Sequence, residues 1–182
     1  MGMEDRPVYR TRPLPQEDLR GRFLLPEAMI EQTRDALIGF ALAGLRDGGH
    51  EGLVFWAGLE NGPFAALTTV VVPAADHSSR GVFITESAYG SAVSEARRAG
   101  VVLLAQVHSH PGADARHSDG DDELIIMPFE GMLSIVVPNY GIGWQDLMNA
   151  KVHQFQGGRW ILCLEESVRR GITIAPRVVD AR

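Results

Sequence analysis

The sequence contains one cysteine, Cys163, one lysine, Lys151, and no apolar run long enough to cross a bilayer. A single thiol excludes an internal disulfide framework and any Cys-rich metal site, and it fits a reducing compartment. The apolar stretch Ile38–Leu45 is far shorter than the ~18 residues a spanning helix needs. The N-terminal segment has no apolar h-region, so it does not read as a secretory signal. Arg6 stands where a myristoylation motif requires Ser or Thr. These absences lead us to expect a soluble, cytoplasmic protein without a membrane partner. Seventeen Lys+Arg against 23 Asp+Glu leave a net charge of −6. That balance argues against a broad phosphate-binding surface, and so against nucleic acid as a partner. Several catalytic signatures are also missing. An HExxH helix starting at His50 would need His where Val54 stands, and one cysteine cannot supply the PCxxC pair of zinc deaminases. No GxSxG, Walker A or GxGxxG stretch occurs.

What is present describes one domain. At 182 residues, with 45% apolar and 22% charged side chains, the chain is long and apolar enough to bury a core. Residues 1–22 carry Pro7, Pro13 and Pro15 among five Arg and four acidic residues, and read as an extended arm ahead of a domain over 23–182. The domain opens with a helix: Pro26 and Glu27 suit its first turn, Met29, Thr33, Leu37 and Phe40 recur at helical spacing, and Gly48-Gly49 stops it. Strand-like runs follow at Leu53–Leu59, Ala65–Val72 and Val82–Thr85, then a helix through Ala88, Ala92, Ala96 and Ala99 closed by Gly100. Val101–Val107 is continuously apolar, as a central strand covered on both faces would be. Met132–Pro138 and a hairpin turning at Gln156-Gly157-Gly158 complete a layered α/β pattern with a mixed sheet.

The central strand runs into His108-Ser109-His110-Pro111. Alternate residues of a strand share a face, so both imidazoles point to one side of its end. Imidazole nitrogens suit Zn²⁺, and the carboxylate of Asp121 would complete a three-ligand site with an open fourth position, the mark of a catalytic zinc. Ser118 lies three residues before Asp121, so one helical turn puts the two on the same face. Pro111 ends the strand's hydrogen bonding where the chain leaves the sheet.

This set resembles the JAMM (MPN-plus) metalloprotease signature, in which HSHP is followed six residues later by Ser-x-x-Asp; here Gly112 to His117 fill that interval. The resemblance runs from about Leu24 to Leu164 and is greatest to the compact bacterial JAB-domain branch. It implies a three-layer, cytidine-deaminase-like α/β domain with a mixed, partly curled sheet flanked by helices. It also implies one Zn²⁺ held by His108, His110 and Asp121, with Glu51 as general base and Ser118 donating to the developing oxyanion. The family's upstream Glu begins an apolar strand after the first helix, where Glu51 stands; Glu60, read at a turn after that strand, is the rival. The implied reaction is hydrolysis after the C-terminal tail of a ubiquitin-like or sulfur-carrier protein, an isopeptidase or a precursor-processing peptidase. Activating and conjugating enzymes of the same pathway are the further partners implied. Two alternatives stay open: a catalytically silent MPN-like scaffold, and a small-peptide or cysteine-releasing peptidase acting on sulfur-carrier proteins. Among the other histidines, His117 reads as a second layer behind the ligands, a substrate contact or a solvated loop residue, and His50, His77 and His153 as structural or surface positions. Cys163 reads as a buried apolar residue, Trp56 and Trp160 as core, and Trp144 as core or substrate contact.

Overall fold

The computed structural model describes residues 13–124 and 127–177. In chain order the elements are β1 (Gln16–Glu17), β2 (Arg22–Pro26), α1 (Glu27–Ala43), β3 (Leu53–Asn61), β4 (Phe64–Val71), β5 (Asp76–Ser78), β6 (Gly81–Phe83), α2 (Glu86–Arg98), β7 (Val102–Ser109), α3 (Asp119–Glu123), β8 (Leu133–Val137), β9 (Lys151–Gln156), β10 (Arg159–Cys163), α4 (Glu165–Gly171) and β11 (Ile172–Ala175). Nine strands form one mixed sheet in the order β1-β10-β9-β8-β7-β3-β4-β2-β11, while β5 and β6 pair as a separate hairpin.

The apolar run of β7 is explained by its position at the middle of that sheet, between antiparallel β3 and parallel β8. Strand periodicity divides the core in two. Val54, Trp56, Ala105, Val107, Leu133 and Ile135 face α1, which contributes Met29, Ile30 and Leu37. Leu53, Phe55, Ala57, Leu103 and Met132 face α2, which contributes Ala92 and Ala96. The three layers follow from this alternation. Trp56 is core as expected, and its indole N–H donates to Thr33 Oγ1 of α1 at 2.8 Å.

The sheet curls. Seven strand spacings separate β10 from β11, about 34 Å if the sheet were flat. Yet the single short helix α4 joins them, so the two ends of the sheet are folded towards each other. Register shifts on both ladders of β3 contribute to the bending. On the β4 side Gly58 approaches so closely that a Cβ there would lie 2.0 Å from Ala66 O.

Three features differ from the sequence reading. The strands β2 and β11, paired in parallel at one edge, and the helix α4 were not expected. Glu60 lies within β3 rather than at a turn after it. Residues 13–22 of the expected arm are extended but joined to the domain: β1 pairs with β10, Leu19 enters the core, and Arg22 opens β2. Residues 1–12 lie outside the described residues.

Candidate metal centre

β7 delivers the first two candidate ligands. His108 pairs with Leu53 of β3 and Val136 of β8, and His110, just past the strand end, donates its N–H to Val137 O at 2.9 Å. Both face the α2 side. The chain leaves the sheet at Pro111 and returns through α3, whose first turn is a capping box. Ser118 Oγ accepts the Asp121 N–H at 3.1 Å, and Asp121 Oδ2 accepts the Ser118 N–H at 2.6 Å. The box aims the Asp121 carboxylate back at the imidazoles.

The three groups converge tightly. His108 Nε2 and His110 Nε2 are 3.3 Å apart, Asp121 Oδ1 is 3.3 Å from the former, and Oδ2 is 3.2 Å from the latter. Tetrahedral zinc ligands at their usual bond lengths sit about 3.3 Å from one another; the two imidazole nitrogens have that spacing, each faces one oxygen of the same carboxylate, and one ligand atom from each of the three residues lies within 4.8 Å of the others. His110 Nδ1 donates to Asp114 O at 2.8 Å, which leaves the lone pair on Nε2 for a cation. Burial pushes the Asp121 carboxyl up, but His108 and then His110 outweigh it and hold the group well below the usual carboxylate range. Burial lowers His110, and its hydrogen bond to Asp121 and the charge there more than reverse this. Two nitrogens and a carboxylate oxygen on a buried, rigid scaffold fit a borderline cation such as Zn²⁺.

Glu51 stands two residues before β3, in phase with Leu53, the partner of His108. Its backbone is held on both sides by β5: the Glu51 N–H donates to Ser78 O at 3.0 Å, and its carbonyl accepts from His77 Nδ1 at 2.9 Å. The His77 ring stacks on Phe40 with centroids 3.8 Å apart. Burial pushes the Glu51 carboxyl up to about 7; His110 draws it down and Asp121 adds to the rise. Glu51 is therefore a carboxyl within the field of the cluster, with proton affinity matched to neutral pH. Glu60, exposed at the opposite end of β3 and about 23 Å along the strand from Leu53, is not part of the site.

The loop after β8 closes one side. Asn139 and Tyr140 both adopt left-handed conformations, with φ of 52° and 57°, and their N–H groups donate to Gly112 O and His110 O. Such paired strain persists where surrounding bonds fix it. Trp144 on this loop is buried in the core on the α1 side, so it is no substrate contact. Cys163 is buried with its thiol pushed up to about 12 by burial, which suits an inert core residue. His117 is buried too, stacked on His153 at 3.9 Å and edge-on to Trp160 at 5.3 Å. It is not a solvated loop residue. The signal that could have placed it is Gln106 and Ser134, polar side chains that interrupt the apolar runs of β7 and β8.

No helix among the described residues is long and apolar enough to cross a membrane. Residues 42–150, which include Glu51, His108, His110, Ser118 and Asp121, match the prokaryotic homologs of the JAB domain. A probable metalloprotease of Sinorhizobium fredii is 39% identical over 97 residues, half of this chain; the chain spans 59% of that relative's length. A protein from Desulfitobacterium hafniense solved in solution shares the fold at a TM-score of 0.60 and 17% identity, covering 85% of this chain and 95% of its own. A JAB1/MPN domain protein from Archaeoglobus fulgidus aligns over 80% of this chain and 97% of its own, at a TM-score of 0.41 and 16% identity. The match across the segment that carries the His-His-Asp triangle and Glu51 places this chain among the prokaryotic homologs of the JAB domain.

Proposed function

We propose that the protein is a zinc-dependent peptidase or isopeptidase that cuts after the C-terminal tail of a ubiquitin-like or sulfur-carrier protein. The observation that carries the hydrolytic reading is the convergence of ligand atoms from His108, His110 and Asp121 within 4.8 Å, with a partly desolvated carboxyl, Glu51, in the field of His110 and Asp121. A silent scaffold has no need to desolvate a carboxyl beside its ligands.

His108, His110 and Asp121 would hold the ion. Zn²⁺ so bound supplies a Lewis acid that polarises the scissile carbonyl and makes a water acidic near neutral pH. Glu51 accepts the proton from the attacking water and returns it to the leaving amine. Ser118, fixed by the capping box, donates its hydroxyl to the oxygen on which charge develops. The β5–β6 hairpin gives the tail a place to lie. β5 is bonded to Glu51, while β6 pairs on one side only among the described residues, so an extended peptide can add there by main-chain hydrogen bonds. A tail ending in Gly-Gly brings its backbone close to the ion without a Cβ in the way.

The test is cleavage of fusions that end a ubiquitin-like or sulfur-carrier protein in Gly-Gly before a peptide or an isopeptide-linked lysine. Zinc-dependent, chelator-sensitive cleavage at that bond is expected. Replacing Gly-Gly by Ala-Ala should lower kcat/KM strongly with little change in carrier binding. Equal cleavage of bulky tails would overturn the substrate, and absence of any zinc-dependent cleavage would overturn the hydrolase.

A further inference from the structure

Behind the ligand triangle the sheet carries a polar row. Gln106 of β7 pairs with Ser134 of β8, which pairs with His153 of β9, and all three are fully buried on the face that bears His108. A buried row of this kind is costly unless its groups are bonded. The side chain that covers it comes from the ligand-bearing loop: His117, whose Nε2 lies 2.7 Å from Ser134 Oγ and whose Nδ1 lies 3.0 Å from Asp122 Oδ1. Burial lowers the imidazole's proton affinity and so favours the neutral ring, which has one donor and one acceptor nitrogen. Facing a carboxylate, Nδ1–H donates to Asp122, and Nε2 accepts from the Ser134 hydroxyl. Ser134 Oγ in turn accepts from Gln106 Nε2 at 2.8 Å, and His153 supports the ring by stacking. The bonds run in one direction, from the centre of the sheet to the residue next to Asp121.

We propose that His117 is a positioning residue of the metal centre, a buried link between β8 and the turn of α3 that fixes where the Asp121 carboxylate stands relative to His108 and His110. The capping box orients Asp121 within its own turn, and the two bonds of His117 tie that turn to β8. The inference rests on the metal reading above and names what makes the third ligand rigid.

Zinc affinity, measured by competition with a chromophoric chelator on the full chain, tests it beside the melting temperature of the metal-free protein. His117→Ala is expected to weaken zinc binding about 10–100-fold, the usual range for residues that orient ligands. Asp122→Ala, which removes the acceptor, should weaken it several-fold, and the double variant should bind no more weakly than His117→Ala, because both changes break one link. His117→Asn, whose amide can still donate to Asp122, should recover part of the loss. Val168→Ala, which truncates a core side chain in α4, serves as the control for general destabilisation and should leave affinity within about twofold. Should His117→Ala fail to fold, Asp122→Ala and His117→Asn decide the matter. Affinity unchanged in Asp122→Ala, or falling in His117→Ala no more than in Val168→Ala, overturns the positioning role alone. A wild-type chain that binds no zinc removes the metal site, and the role with it.

Discussion

Burying Glu51 beside the ligands costs stability that the metal-free protein should reveal. Its folded value of about 7 lies above the ordinary 4.5, so the folded state binds the extra proton and stability falls as pH rises from 4.5 through 7. Glu51→Gln removes that term. At pH 8, after chelation, the variant should be more stable than wild type by about 1–3 kcal/mol, and near pH 5 the gap should close. Denaturant melts at the two pH values read this directly, and an equal gap at both would contradict it. With metal restored, the same variant should keep its zinc and lose turnover by ~10²–10⁴-fold, since the amide cannot accept the proton. His108→Ala, His110→Ala and Asp121→Ala should each lose most of the zinc while the fold survives, read by metal content and circular dichroism. The convergence of these side chains was legible because their geometry is local. His108 and His110 need only strand alternation, and Ser118 and Asp121 only one helical turn. His117 was not legible as a core residue, since its burial depends on Gln106, Ser134 and His153 from three strands, and spacing along one segment cannot report that.

At the level of elements, long apolar segments were readable and short parallel edges were not. β7 and α1 carry enough residues for a period to show, and the hairpin of β9 and β10 is marked by Gly157-Gly158. β2 spans Arg22–Pro26 and sits against a Pro- and Arg-rich stretch whose composition masks it, while β11 has four residues and α4 seven. These pieces become ordered by pairing with partners far along the chain. The boundary of the arm follows the same logic. Removing residues 1–22 would strip Pro15 O and Glu17 O from Leu162 and Leu164, withdraw Leu19 from the core, and leave the buried side chains of Gln154 and Gln156 without Arg20 and Asp18. Each hydrogen bond lost costs ~0.5–1.5 kcal/mol, although the two amides keep their bonds to Gly131 O and to each other, so with the loss of Leu19 a melting temperature lower by about 5–15 °C is expected. Gly58→Ala makes a separate demand on the sheet: its Cβ would fall 2.0 Å from Ala66 O, so the β3–β4 ladder must open, at a cost of about 2–4 kcal/mol in a urea melt.

For the whole molecule, the ligand cluster ties folding, proton binding and metal binding together. In the metal-free protein Asp121 is held well below its ordinary 3.8, so its contribution is present above that pH and is lost as pH falls towards the folded value. His110 is raised above 6.5, so its contribution is full below that value and is lost as pH rises through the folded one. Glu51 adds its own loss between 4.5 and about 7. Metal-free stability should therefore be greatest at about pH 4 to 4.5, and decline from there towards pH 8. Zinc acts in the opposite sense. It requires His110 without its second proton and Asp121 charged, so its affinity rises with pH, and its charge offsets that of Glu51. At a hundredfold excess over Kd a ligand adds ~2.7 kcal/mol, worth roughly 5–10 °C for a chain of this size. The gap in melting temperature between zinc-loaded and chelated protein should thus widen steadily from pH 5.5 to 8. A constant gap would mean that the ion is held by groups that do not titrate in this range, away from His110. In His110→Ala the proton that competes with the metal is gone along with one ligand, so the gap there should be small at every pH, and a large pH-dependent gap in that variant would move the metal to another site.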